Sequence, residues 1–131
     1  MSGTQKLTVD LGVVYLLVGV LGFAPGITMA SAQPGQGLLL GIFAVNALHN
    51  VAHLVVGAVL VWAGLSALQV TLLANKALAL VFALLVVASF VAPLVEGVAL
   101  NPPDTALHLL SLLATGYLGF AGGRRAVSVA A

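Results

Sequence analysis

The sequence predicts an all-α, polytopic membrane protein folded as a single bundle of four transmembrane helices, with both termini on the cytoplasmic side. Two observations carry the fold class. The chain of 131 residues is 62% hydrophobic and only 5% charged, whereas a soluble domain carries roughly 25% charged residues. Its apolar residues also fall into four stretches with short polar breaks, each close to the ~20 residues that a spanning helix needs. A third observation gives the orientation. Lys6, Lys76, Arg124 and Arg125 are all the basic residues, and four spans put every one of them on the same side, which the positive-inside rule makes the cytoplasm.

The first helix is expected over about residues 9–24, with Thr8 and Asp10 as candidate caps and Pro25-Gly26 as the stop. The second runs over about 38–64 after a Ser, Gln, Pro and Gly-rich loop, and Trp62 suits an interfacial anchor near its end. The third covers about 75–95, ending before Glu96, which is expected in an outer loop. Asn101-Pro102-Pro103 forms a stiff turn, and Asp104 is the expected N-cap of a fourth helix over about 104–122, closed by Arg124 and Arg125. Residues 1–131 therefore form one domain. Lys6, the first apolar run and Ala30-Ser31-Ala32 resemble a signal peptide, but Asp10 lies too close to the apolar run, so a retained helix is expected.

Composition removes several functions. The net charge of +1 and four scattered basic residues offer no nucleic-acid surface. Without cysteine there are no disulfides, thiolate-held iron-sulfur clusters or zinc-thiolate sites.

The chemistry-bearing residues lie on two helical stripes. At about 100° per residue, Asn46, His49, Asn50, His53, Gly57 and Gly64 share one face of the second helix. Asp104, His108, Ser111, Thr115, Gly119 and Gly122 share one face of the fourth. All three histidines of the chain are included. Polar groups in hydrocarbon are costly unless they pair or bind something, so the two stripes are expected to meet, with the glycines allowing close approach of the second and fourth helices. With Trp62 at the inner interface, His49 lies about 9 Å below the outer boundary and His53 about 15 Å, at ~1.5 Å per residue. His53 is thus the outlier of a shared site.

The segments Asn46-Ala47-Leu48-His49-Asn50-Val51-Ala52-His53 and Asn101-Pro102-Pro103-Asp104-Thr105-Ala106-Leu107-His108 resemble the paired signatures, HNxxH and NxxDxxLH, of a bacterial domain-of-unknown-function family of small four-helix membrane proteins. The resemblance extends over nearly the whole chain, including Gly19-Val20-Leu21-Gly22-Phe23. It implies a four-helix fold in a bacterial inner membrane and singles out Asn46, His49, Asn50, His53, Asn101, Asp104 and His108, without supplying an activity. A more distant similarity is to DoxX-like membrane proteins.

Three readings of the cluster compete. In the favoured one the polar cluster Asn46, His49, Asn50, His53, Asn101, Asp104, His108 and Ser111 is a hydrogen-bonded network that locks helix two to helix four, in a structural or accessory protein whose partners are the lipid bilayer and other copies or subunits of a membrane complex. That role is not enzymatic, and no catalytic residue is assigned. In the second, His49, His53, Asp104 and His108 hold a metal ion or a haem in a redox or transport protein; His49 and His53 at i and i+4 have chelating spacing, and ligands without sulfur suit Zn, Cu(II), Ni or Fe. The third is proton or substrate handling. Metal-dependent hydrolysis is disfavoured, because Asn50 stands where a zincin base would follow His49.

The four-to-zero partition of basic residues predicts that cysteines introduced at Ser31 and Ser128 label from opposite faces of intact cells. Labelling of both from outside would overturn the four-span arrangement.

Overall fold

The computed structural model describes residues 1–91 and 97–123, so Glu96, Arg124, Arg125 and the Ser128 labelling position lie outside the described residues. The chain is mostly helical. Its elements run α1 (Gly3–Leu21), β1 (Thr28–Ala30), β2 (Gly37–Leu39), β3 (Phe43–Val45), α2 (Ala47–Leu65), α3 (Leu68–Phe90) and α4 (Pro102–Phe120). Three helices are long and apolar enough to cross a membrane, namely α1, α2 and α3, with hydropathies of 1.4, 1.7 and 2.3. α4 is not among them; it has the same 19 residues as α1 and α2, but two prolines, Asp104 and His108 lower its mean hydropathy.

Each boundary has a local cause. α1 begins six residues earlier than expected, because Ser2 caps it in a reciprocal box: the Ser2 hydroxyl accepts from Gln5 N, and the Gln5 side chain accepts from Ser2 N. Thr8 and Asp10 lie inside the helix, and the Thr8 hydroxyl donates back to Thr4 O at 2.8 Å. The second helix does not start at 38. Leu40 and Gly41 take φ values of 55 and 72, which a right-handed helix cannot accommodate, and the apolar run divides into β2, a turn and β3. Asn46, in extended conformation, then accepts from His49 N at 2.9 Å and opens α2. α3 starts at Leu68 rather than near 75, directly after Ser66 and Ala67. Ala67 provides no side-chain cap, and the polar residues Ser66, Gln69 and Thr71 disguise the helix start as a loop. The Thr71 hydroxyl fixes this corner by donating to Ala63 O at 2.8 Å.

β1, β2 and β3 form an antiparallel sheet in that order, with Thr28 opposite Leu39 and Leu39 opposite Phe43. An open strand edge cannot face hydrocarbon, so helices that cross a membrane would carry this layer at a water-facing end. It is tied to the start of α4, where Asp104 Oδ2 accepts from Ala44 N at 3.0 Å and the Asn101 side chain donates to Ile42 O at 2.8 Å.

α1 packs along α2, and α3 along α4; α2 meets α3 less extensively, and α1 and α4 barely meet. Among the described residues α2 and α4 meet through His49, His53 and His108 rather than along an extended backbone seam. The glycines of the two stripes serve other neighbours: a Cβ at Gly57 would meet Leu16 N and Gly12 O of α1, and one at Gly119 would meet Lys76 and Asn75 of α3. Close backbone approach is thus real, but it runs within each pair of sequential helices. Tyr15, Leu60, Leu78 and Phe82 form the buried apolar centre between the pairs.

Because a Cβ at Gly57 would lie only 2.7 to 2.8 Å from backbone atoms of α1, Gly57→Val is expected to force the α1–α2 pair apart and to lower stability by about 1–3 kcal/mol. Gly116→Ala, where a Cβ meets nothing within 4 Å, is expected to leave stability unchanged or raise it by about 0.5–1 kcal/mol through helix propensity. Thermal unfolding of both variants in the same detergent checks this pair.

Candidate functional site

The first turn of α2 positions the first histidine. While Asn46 Oδ1 accepts from His49 N, its Nδ2 donates to Gly97 O at 2.8 Å, which brings the segment before α4 over the start of α2. His49 Nδ1 lies 3.1 Å from Ala44 O and 2.7 Å from Ala99 O. Carbonyl oxygens only accept, so Nδ1 carries the proton. In its neutral form the ring presents a lone pair at Nε2, a buried atom without a hydrogen-bond partner. A backbone carbonyl on the far nitrogen is the arrangement that orients an imidazole as a metal ligand.

The first turn of α4 positions the second element of the site. Its N-cap is Asn101, not Asp104: Asn101 Oδ1 accepts from Asp104 N at 3.2 Å, while Asp104 Oδ2 accepts from Asn101 N at 3.1 Å. The same Oδ2 accepts from Ala44 N. Asp104 therefore acts as a buried acceptor joining the sheet to the helix. His108 follows one turn further along α4.

The three histidines converge. The His49 and His53 ring centroids are 4.4 Å apart and those of His49 and His108 5.8 Å apart. One ring nitrogen from each lies within 4.8 Å of those of the other two, a set that does not include Asp104. His49 and His108 are buried, and His53 is half-buried. Each ring also has a buried nitrogen without a hydrogen-bond partner, at His49 Nε2, His53 Nδ1 and His108 Nδ1, a state that costs about 1–3 kcal/mol per group when nothing is bound there. Nitrogens bonded at about 2.1 Å to one tetrahedral ion lie about 3.4 Å apart, closer than the 4.8 Å within which this set lies. The rings are held by aromatic neighbours: Tyr15 meets His53 edge-on at 5.3 Å, and Phe82 stacks on His108 at 6.0 Å.

The remaining members of the stripes are dispersed. Asn50 is buried against α1, where a Cβ at Gly22 would overlap its carboxamide. Ser111 pairs with the Tyr15 hydroxyl at 2.6 Å. Asn46 and Asn101 are caps. The hydrogen bonds expected from His49 to Asp104 or His108 are not found among the described residues; backbone carbonyls take their place. His53, the expected outlier in depth, is the nearest ring to His49. Tyr15 of α1, outside both stripes, contacts the site through both its ring and its hydroxyl. A second polar group was not foreseen at all: Asn75, fully buried, donates to the Thr8 hydroxyl at 2.9 Å near the opposite end of the helices.

The fold is a small helical one in which three helices are fit to cross a membrane, and α2 and α4 bring three imidazoles together. The chain belongs to the family described as Domain of unknown function (DUF4383), whose model matches residues 5–121. No curated protein and no solved structure matches the chain, so these comparisons return no DoxX-like protein.

Asp104→Ala is expected to leave the N–H groups of Ala44 and Asn101 without their acceptor, at about 1–3 kcal/mol for each buried group, and to accelerate amide exchange at Ala44. In Asp104→Asn the carboxamide oxygen still accepts, and exchange at Ala44 should stay closer to that of the parent. Equal Ala44 protection in Asp104→Ala and the parent would contradict this role for the carboxylate.

Proposed function

We propose that the chain is a four-span membrane protein that binds one transition-metal ion through His49, His53 and His108. The carrying observation is the state of the imidazoles. Buried polar groups in a packing network are hydrogen-bonded, yet each of these rings keeps a buried nitrogen without a partner, and the rings approach one another from two helices. His49 is moreover held in one tautomer by the carbonyls of Ala44 and Ala99. Three neutral imidazoles without sulfur suit Zn²⁺, Cu²⁺, Ni²⁺ or Fe²⁺. An ion fits better than a haem, because His53 and Phe82 pack against the rings between which a porphyrin would lie. The reading assigns binding to the site and no reaction.

The membrane arrangement belongs to the same proposal. α4 counts as the fourth span on this reading, since Asp104, His108 and Thr115 are buried, whereas Leu109, Leu110, Leu113 and Phe120 are exposed as a lipid-facing helix requires. Lys76 lies eight residues into α3, and its Nζ sits 5.2 Å over the Phe120 ring at the far end of α4; a long stem that carries its charge toward an interface suits the cytoplasmic side assigned to the basic residues. The sheet and the histidines then lie toward the outer face of a bacterial inner membrane, with both termini inside. The bilayer is the first partner, and an accessory role adds further copies or subunits of a membrane complex.

Protein purified without added metal, or reloaded with Co²⁺ after chelation, is expected to hold one ion per chain. His49→Ala, His53→Ala and His108→Ala should each weaken Co²⁺ binding at least tenfold, with circular dichroism reporting whether the helices persist. Bound ion should also raise the unfolding temperature, since a ligand at a hundredfold its Kd adds about 2.7 kcal/mol to stability. A parent protein that binds neither endogenous metal nor added Co²⁺ would overturn the reading and return the cluster to a packing role.

A further inference from the structure

A cavity of about 320 Å³ lies against the histidines, where α1 and α4 fail to pack. Its walls come from Val14 and Val18 of α1, Phe43 of the sheet, and Leu110 and Ala114 of α4. Its polar groups are few and contiguous. His53 and His108 line it, together with Asp104 and the hydrogen-bonded pair of Tyr15 and Ser111. His49 does not line it. Three histidines leave a tetrahedral ion one open position. With two of the three on the cavity wall, an ion held by the set would turn that position toward the cavity.

From this we infer that the site takes a lipid-soluble, single-ring molecule bearing a hydroxyl, a phenol or quinol in type, whose oxygen completes the metal coordination; the inference rests on the metal reading above. Each part of the ligand answers a feature of the wall. Val14 and Leu110 line the cavity and are also more than half exposed on the outer surface of α1 and α4, so the mouth opens sideways between two apolar helix faces, and in a bilayer a ligand arrives from the lipid. Apolar walls reject charged or polyhydroxylated molecules, which would lose their hydration without replacement. The volume is at the lower end for small-molecule sites, enough for one ring with its tail trailing out between α1 and α4. Tyr15 and Phe43 supply aromatic surface for that ring. The Tyr15 and Ser111 hydroxyls share one hydrogen bond but own two protons, so one O–H remains to donate to the ligand oxygen.

The test uses the full chain in lipid nanodiscs, loaded with Co²⁺ and observed through its visible absorption bands. Nonylphenol is the probe, and nonylbenzene, which lacks only the hydroxyl, is the control. Nonylphenol is expected to shift the Co²⁺ bands saturably and nonylbenzene to leave them unchanged. Ala114→Phe and, from the opposite wall, Val18→Phe are each expected to weaken the nonylphenol response at least tenfold while Co²⁺ remains bound one per chain. Co²⁺ binding with no response to nonylphenol would overturn the inference and leave the metal reading intact. An equal response to nonylbenzene would overturn it too, making the cavity a slot for acyl chains. Absence of Co²⁺ binding in the parent would overturn the metal reading; retention of nonylphenol by the parent no greater than by both filled variants would then show that the cavity binds no such ligand either.

Discussion

One carboxylate oxygen sets the geometry of the histidine end of this protein. Asp104 Oδ2 accepts from Asn101 N, which starts α4, and from Ala44 N, which fixes β3. The same residue Ala44 turns its carbonyl to His49 Nδ1. The tautomer of His49, the position of the sheet and the first turn of α4 are therefore coupled through two adjacent backbone groups. A neutral hydrogen bond contributes roughly 0.5–1.5 kcal/mol and one to a charged group about 1.5–3 kcal/mol, so the pair of bonds to this oxygen outweighs any single contact among the apolar side chains around it. The constraint is geometric as well as energetic. Because Ala44 is bonded on both sides, β3 cannot slide against α2 without breaking the bonds that hold His49.

The three histidines that the structure gathers were legible in the sequence, and their neighbours were not. A histidine in an apolar stretch is conspicuous because of its cost, which is why His49, His53 and His108 stand out from composition and periodicity alone. Periodicity gives a face, but not the neighbour that the face meets. The stripes of α2 and α4 each continue into glycines, and two matching stripes suggest one seam. In the fold each stripe serves two neighbours: its polar end turns to the centre, while Gly57 and Gly119 admit α1 and α3 respectively. Depth reckoned from Trp62 sets His53 one turn below His49, yet side chains at i and i+4 lie one above the other on a helix face, and the two rings meet at 4.4 Å.

The cap of α4 shows how local sequence chemistry can mislead by a single turn. Asp104 is an acceptor near a helix start, a mark of an N-cap. Asn101 is such an acceptor too, and the two prolines after it fit the first helical positions, where a missing N–H costs nothing. With Asn101 as the cap, Asp104 falls three residues into the helix, where it can return a bond to the cap and reach the sheet at once. The polar group formed by Thr8, Thr71 and Asn75 was hidden for another reason. Thr71 and Asn75 belong to a helix whose first turn carries no cap signal, and without that turn their i, i+4 relation on α3 is invisible. Both are fully buried, with Asn75 Nδ2 bonded to Thr8 Oγ1 and to Thr71 O.

The low hydropathy of α4 follows from what it carries. A helix that contributes Asp104, His108, Ser111 and Thr115 to one interior cannot be as apolar as α3, which contributes chiefly Leu78, Ala79 and Phe82 to the core. The cost of those polar groups is met by enclosing them, Asp104 and His108 beneath the sheet and Thr115 through a bond to Ser111 O. Enclosure by α2 and α3 alone leaves the α1 side open. The Tyr15 side chain reaches across that side, its ring on His53 and its hydroxyl on Ser111, and buries the deeper part of the histidine cluster. A residue smaller than tyrosine would extend the gap to Phe82, whose ring lies 5.7 Å behind it, and one without the hydroxyl would leave Ser111 unpaired in an apolar wall. Tyr15 therefore bounds the space beside the histidines in both size and polarity, and the boundary comes from α1, a helix whose own sequence contains no histidine.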